Sequence, residues 1–401
     1  MRCAAIADAA SLSLLLADPW FGLISMKNLL LPALVALSTS AALAQTTPTT
    51  DPALAVPPAV APAEATPNPL TTYGFVDGYY GYDFKHANGN NRQSFLYSHS
   101  RQNEFTINQA LIGVRYDDGK VRGALGLHAG TYVSANYAAE DQVLKHVFEA
   151  YAGFRPFDKA WLDLGIFGSH IGFESAISKD NWTLTRSMMA ENSPYYESGA
   201  RFTYEVGPKL TLAGLVLNGW QNIRETNQAK ALGTQIQWKP SDKVLVNSST
   251  FYGNEQPTGE TKRRRYFHDF YVTYAATERT NLALVFDVGK QQGVASEKYD
   301  TWHTGAVFVK QKLADKFSAT LRGEYYLAER GVIIQSIKPT ATDAEFRVAG
   351  GSLNLDYAPA SNVLFRVEGR YLNGINGIFS RDDDATNRSY GNLTTSMAIS
   401  F

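Results

Sequence analysis

From Leu70 to Phe401, apolar side chains fall on alternate positions in segments of roughly ten to fourteen residues, the period of a strand with two unlike faces. Between Lys316 and Ala328, Phe317, Ala319, Leu321, Tyr325 and Leu327 share one parity, while Ser318, Thr320, Arg322, Glu324 and Tyr326 share the other. From Asn362 to Leu372, Val363, Phe365, Val367 and Tyr371 oppose Arg366, Glu368 and Arg370. From Tyr195 to Val206, Tyr196, Ala200, Phe202, Tyr204 and Val206 oppose Glu197, Arg201, Thr203 and Glu205. About sixteen such segments follow one another. A soluble β-sandwich alternates in the same way, so length and connections must decide. Globular strands run to about five or six residues, whereas a tilted strand crossing a bilayer needs about nine to eleven. These segments fit the membrane.

The connections alternate in length. Short turns at 117–120, 155–160, 207–209, 240–242, 277–279, 314–316 and 359–361 are interleaved with longer polar loops near 85–101, 135–142, 169–193, 221–229, 254–264, 290–298, 329–343 and 374–388. Short at one end and long at the other is the layout of an outer-membrane barrel. The pattern predicts an all-β fold, a transmembrane antiparallel up-and-down β-barrel of about sixteen strands with both termini at the short-turn, periplasmic end. Weak alternation between Tyr299 and Leu313 leaves fourteen or eighteen strands open. Tyr116, Phe154, Tyr204, Trp238, Tyr274, Tyr357 and Phe401 recur where strands approach the short turns, as expected of an aromatic girdle at the lipid headgroups. The strand ending near Leu313 breaks that series. The last segment puts Leu393, Met397, Ile399 and Phe401 on one parity, with Thr394, Ser396, Ala398 and Ser400 on the other, so the chain stops on an apolar ring. Closing that strand against 71–84 would remove every open sheet edge. A carboxyl-terminal Phe of this kind resembles the assembly signal of bacterial barrels, and it implies the barrel assembly machinery as a partner.

The amino-terminal residues read as targeting. Met26-Lys27, the apolar run from Leu29 to Leu37 and Ala42-Leu43-Ala44 before Gln45 make a secretory signal peptide at 26–44, leaving 1–25 as an upstream extension without function. Residues 45–69, rich in Pro, Ala and Thr, form a disordered linker, and the barrel occupies 70–401. Composition narrows the function classes. Beyond residue 44 there is no run of about 18 apolar residues, which excludes an α-helical membrane bundle. The net charge of -1 argues against nucleic acid. Cys3 is the single cysteine and lies in the discarded extension, so disulfides, thiolate chemistry and Cys-based zinc sites are not expected.

A family resemblance rests on particular residues. The run Tyr73-Gly74-Phe75-Val76-Asp77-Gly78-Tyr79-Tyr80, then Asn103-Glu104-Phe105, Gly130-Thr131-Tyr132 and Glu149-Ala150-Tyr151-Ala152-Gly153 are its first part. Gly165-Ile166-Phe167, Ser169-His170-Ile171-Gly172, Ser193-Pro194-Tyr195-Tyr196-Glu197 and Leu217-Asn218-Gly219-Trp220-Gln221 continue it. Together they resemble the β-barrel porin family called OmpL-like, densely over about residues 70–250 and by pattern beyond. The resemblance implies a bacterial outer-membrane porin and supplies no solute.

Candidate functional residues fall in two sets. Between Ser169 and Asn192 alternation is lost, and Glu174, Lys179, Asp180, Trp182, Arg186 and Glu191 surround Met188-Met189, a density suited to a loop folded into the lumen as a constriction. An outward loop is the competing reading. The inward parity carries Glu149, Asp163, Glu197, Arg201, Asp269, Glu324, Arg366, Glu368 and Arg370, too many charges for a dry core unless they pair internally. No metal-ligand spacing, phosphate loop or nucleophile elbow appears, and the seven His are scattered, so neither a cofactor, a metal nor enzymatic activity is expected. The function expected is passive diffusion of ions and small polar solutes. A structural or adhesive barrel is the alternative, and a barrel-embedded hydrolase a more remote one. Lipid is the surrounding partner, while oligomeric state, preferred solute and the sign of ion selectivity stay open. If the 169–192 loop sets selectivity, Arg186→Glu is expected to shift the reversal potential across a salt gradient more than Arg264→Glu, which alters the tip of a basic loop at 262–265.

Overall fold

The computed structural model describes residues 68–84, 89–293, 298–334, 345–375, 377–380 and 386–401. The extension at 1–25, the signal peptide at 26–44 and all but the last two residues of the linker lie outside the described residues.

Eighteen strands follow in chain order. They are β1 (Leu70–Asp83), β2 (Phe105–Asp117), β3 (Val121–Ala129), β4 (Val147–Phe154), β5 (Ala160–Gly168) and β6 (Tyr196–Gly207). Then come β7 (Leu210–Leu217), β8 (Ala231–Ser241), β9 (Val244–Asn254), β10 (Arg264–Ala275), β11 (Thr280–Gln292) and β12 (Tyr299–Ala314). The last are β13 (Phe317–Ala328), β14 (Phe346–Ala360), β15 (Val363–Gly374), the two-residue pair β16 (Phe379–Ser380) and β17 (Thr386–Asn387), and β18 (Ser389–Ser400). Sixteen of them, all but β16 and β17, close into one barrel in which each strand is hydrogen-bonded to its sequence neighbours and β1 to β18. The expected strand number is therefore observed. The uncertain stretch at Tyr299–Ala314 is a single strand, whose alternation is blurred because Trp302, Ala306 and Phe308 face inward and are buried.

Two unlike faces run along every wall. Outward residues such as Leu164, Leu284, Leu321 and Leu353 are exposed, the arrangement a lipid-facing band requires. The aromatic positions Tyr116, Phe154, Trp238, Tyr274, Tyr357 and Phe401 are exposed near the short turns. The barrel closes through Gly74 and Phe401, whose backbones exchange hydrogen bonds of 2.7 and 3.0 Å. The Phe401 ring lies where a side chain on Gly74 would stand, so that glycine lets the terminal ring fold over β1.

The inward face is less polar than alternation predicts. Phe251, Phe267, Trp302, Tyr326, Phe346 and Leu372 point into the barrel from β9, β10, β12, β13, β14 and β15. They pack with Phe95 and Leu96 from the β1–β2 connection and Met188 from the β5–β6 connection. Each such burial is worth about 1.5–3 kcal/mol against exposure to water, enough to hold the long connections against the wall.

The seam predicts a folding phenotype. Unboiled wild-type protein should migrate differently on gels from boiled protein, as closed barrels do. Gly74→Leu should lower the heat-shifted fraction by displacing Phe401, whereas Gly323→Ala, which meets nothing within 4 Å, should match wild type. Equal folding of the two variants would contradict the role assigned to the seam.

Candidate functional site: the segment between β5 and β6

Residues 169–195 leave the wall after β5 and meet it again on the opposite side. Their start is pinned by His170. Its Nδ1 lies 2.8 Å from Glu197 on β6 and its Nε2 lies 2.9 Å from the Thr250 carbonyl on β9. Both ring nitrogens face acceptors, and although burial opposes the charged form, Glu197 and the Thr250 carbonyl push the imidazole's pKa up. The His170 carbonyl accepts from Gln235 at 2.8 Å and from Ser249 at 2.7 Å. Phe173 and Trp182 then pack on Tyr271 and Phe308.

On the far wall the segment's backbone is met by side chains of β13, β14 and β15, and its Ser178 side chain by β1. Arg366 pairs with Asp356 at 2.8 Å and donates to the carbonyls of Ser178 at 2.7 Å and Asn181 at 2.9 Å. Arg322 pairs with Glu368 at 2.9 Å and donates to the Thr185 carbonyl at 2.6 Å. Glu368 accepts from the Thr185 amide, Asn354 from the Leu184 amide and Glu324 from the Met188 amide. Arg370 holds Glu324 through bonds of 2.9 and 2.8 Å, and Ser178 donates to Asp77 at 2.7 Å. Sequence alternation placed Glu324, Arg366, Glu368 and Arg370 on the inward parity; Arg322–Glu368 and Arg370–Glu324 pair two strands apart, and Arg366–Asp356 across adjacent strands.

Within the segment, a short helix α2 (Met188–Glu191) is capped by Ser187, whose oxygen accepts from the Ala190 amide at 3.2 Å. Glu174 accepts from the Ser187 amide at 3.0 Å and from its hydroxyl. Burial pushes the Glu174 carboxyl up, against the opposing pull of Arg322 and Ser187. Glu191 accepts from the amides of Tyr97 and Ser98 and so ties the β5–β6 segment to the β1–β2 connection.

Of the six candidate residues in this segment, Glu174, Trp182, Arg186 and Glu191 are buried. Arg186 lies between the rings of Tyr132 and Tyr195, 4.2 and 4.1 Å from their centroids, and donates to the carbonyl of Ala176 at 2.6 Å. Tyr132 belongs to the helix α1 (Thr131–Asn136) after β3. Arg186 is therefore enclosed as a staple, and reversing it would unmake the loop rather than alter a field in water. Lys179 and Asp180 remain about one-third exposed, paired with each other at 3.1 Å.

All nine inward candidates face the interior. Glu149 pairs with Arg115 and Asp163 with Arg201 on β2 to β6, while Glu324, Arg366, Glu368 and Arg370 clamp the segment. Asp269 accepts from Asn247 at 2.9 Å. Internal pairing thus accounts for most of these charges, and their number does not by itself require water. Sequence reasoning passed over Asp77, Asn354, Asp356 and Arg322, although Arg322 stood on the polar parity of its segment. At the long-loop end, a cavity of about 1100 Å³ is lined in part by Arg92, Tyr97, Arg101, Thr106, Thr131 and His146.

Arg366→Met should leave Asp356 and two loop carbonyls without their donor, at a cost of about 3–5 kcal/mol. The expected signs are a lower denaturant midpoint and new protease cleavage within 169–195. Unchanged resistance would mean that the segment does not depend on this clamp.

The sequence matches the family described as "Putative beta-barrel porin-2, OmpL-like" over residues 69–401. No curated protein matches it. Among solved structures it is similar to an anion-selective porin from Comamonas acidovorans, with a TM-score of 0.55 and 8% identity over 83% of this chain and 99% of that one. It is likewise similar to OmpF of Salmonella typhi in complex with daunomycin, with a TM-score of 0.54 and 12% identity over 83% and 97%. The trimer form of OmpT, an outer membrane protein of Vibrio cholerae, gives 0.53 and 11% over 83% and 99%. At such identities the likeness is one of fold.

Proposed function

We propose a function from one premise: the chain belongs to the Putative beta-barrel porin-2, OmpL-like family, and it is an outer-membrane β-barrel. It acts as a porin for passive diffusion of ions and small polar solutes, with residues 169–195 narrowing the lumen. It performs no catalysis. The observation that carries this reading is the ring of contacts from β1, β13, β14 and β15 to a segment rooted between β5 and β6, which supports a constriction rather than a surface loop. Partly exposed guanidinium groups on the inner wall support water in the remaining lumen, since Arg115 and Arg201 keep 49% and 23% of their side chains exposed.

Export by the signal peptide at 26–44, the linker at 45–69 and the barrel at 70–401 complete the proposal. Assembly would proceed through the apolar face of β18, where Leu393, Met397 and Phe401 are exposed and Ile399 shares their parity. Association into homo-oligomers is compatible with this architecture.

A structural or adhesive barrel remains the second reading. It is favoured by the apolar packing of Phe95, Leu96, Met188, Val332, Ile334 and Phe379 with the inner wall. Discrete conductance steps from folded protein in planar bilayers are expected of the porin, whereas silent membranes with heat-shifted protein would favour the structural barrel. Within the porin reading, Asp180→Lys should change the cation-to-anion permeability ratio more than Arg264→Glu, because a charge at a narrow section is poorly screened. Equal effects would remove Asp180 from the constriction.

A further inference from the structure

The clamp on residues 169–195 occupies the inward charges of β13 to β15, whereas on β2 to β6 charged groups still meet water. Arg115 on β2, Arg122 on β3, Glu149 on β4, Asp163 on β5 and Arg201 on β6 all face inward, Arg115, Arg122 and Asp163 close to the short turns and Glu149 and Arg201 farther along their strands. Arg115 donates from Nε to Glu149 at 2.8 Å, and the Tyr73 hydroxyl donates to the same oxygen at 2.6 Å. Arg122 grips both oxygens of Asp163 at 2.7 and 2.6 Å, and Arg201 reaches Asp163 with two bonds of 3.1 and 3.0 Å.

The carboxylates lie beneath the guanidinium groups. Asp163 has none of its side chain exposed and Glu149 has 9%, against 12% for Arg122 and larger fractions for Arg115 and Arg201. Among these five bonded groups the guanidiniums outnumber the carboxylates three to two, and Glu205 on β6 shares the face of Arg201. Arg155, in the turn after β4, is a further guanidinium beside the row, over the same Trp161 ring as Arg122. Its nearest carboxylate, Asp158, is 3.9 Å away and lies in water, and its Nε has no hydrogen-bond partner among the described residues.

Aromatic rings lie against these cations. Arg115 lies 4.5 Å from the Tyr73 centroid, Arg122 and Arg155 lie 4.3 and 4.8 Å from Trp161, and Arg201 lies 4.4 Å from Phe167. A guanidinium fixed by a ring on its face and a carboxylate on one edge has its remaining N–H edge oriented in advance, which suits a planar or tetrahedral oxyanion.

Resting on the diffusion reading above, we infer that this row is an anion station that makes the pore prefer small anions and weakly binds oxyanions such as phosphate and carboxylates. The underlying carboxylates keep its net charge low, so a bound anion can leave again, as conduction requires.

The test uses the folded protein in planar bilayers under a potassium chloride gradient, with inorganic phosphate added to either side. The expected result is a reversal potential of anion-preferring sign and a chloride current that falls as phosphate rises. Arg115→Gln combined with Arg201→Gln should bring the permeability ratio toward unity and abolish the phosphate effect, while Arg264→Gln should change neither. Arg115→Lys should keep the anion preference and weaken only the phosphate effect. If the double variant fails to yield heat-shifted protein, the wild-type sign and phosphate response decide. Cation preference, or a double variant indistinguishable from wild type, would overturn the anion station while leaving the porin reading intact. Folded protein that gives no channels would overturn the porin reading instead.

Discussion

Irregular backbone inside a membrane barrel must find a partner for every buried amide and carbonyl, and the interior is organised around that demand. Residues 169–195 have no ladder of their own. Their amides at Leu184, Thr185 and Met188 are met by Asn354, Glu368 and Glu324, and their carbonyls at Ser178, Asn181 and Thr185 by Arg366 and Arg322. A bare carboxylate facing a loop amide would be costly in this setting, so Glu368 and Glu324 are paired with Arg322 and Arg370, and Arg322 is itself shared with the loop. Ion pairing and loop support are one network.

That network divides the inner surface into two chemically different parts. On β13 to β15 the charges are spent on protein partners and lie buried, so their signs say little about solute. On β2 to β6 the acids are buried and the guanidinium edges are partly wet, so the field a solute meets differs from the count of charged residues. The apolar cluster around Met188, Phe95 and Trp302 packs the connections mainly against β7 to β15 and β18, with Phe167 of β5 also part of it. Residues of opposite function can thus share one parity.

The strand plan was readable in the chain because lipid on one side of every strand imposes a period of two, and short turns impose their own punctuation. Phe401 and the outward leucines stand where that reasoning puts them. The candidate loop was identifiable as the place where alternation fails, and Glu174, Trp182, Arg186 and Glu191 do belong to its architecture. Their roles were not readable. Arg186 looked like a charge for solute, but it sits between Tyr132 and Tyr195, contributed by α1 and by the end of the same connection, and a sequence does not reveal which rings will enclose a cation.

The sequence by itself determined a closed antiparallel barrel of about sixteen strands, its lipid-facing parity and its closing strand, because these follow from local periodicity and from the need to leave no open edge in a membrane; the structure fixed the count by making Tyr299–Ala314 one strand. Tertiary structure alone decided which inward charges meet water and which are consumed by pairing. Arg322 and Glu368 lie two strands apart in the wall and meet Thr185 from a loop rooted between β5 and β6. Such a contact depends on barrel closure and loop path, whose energies arise from groups far apart in the chain and leave no period in it.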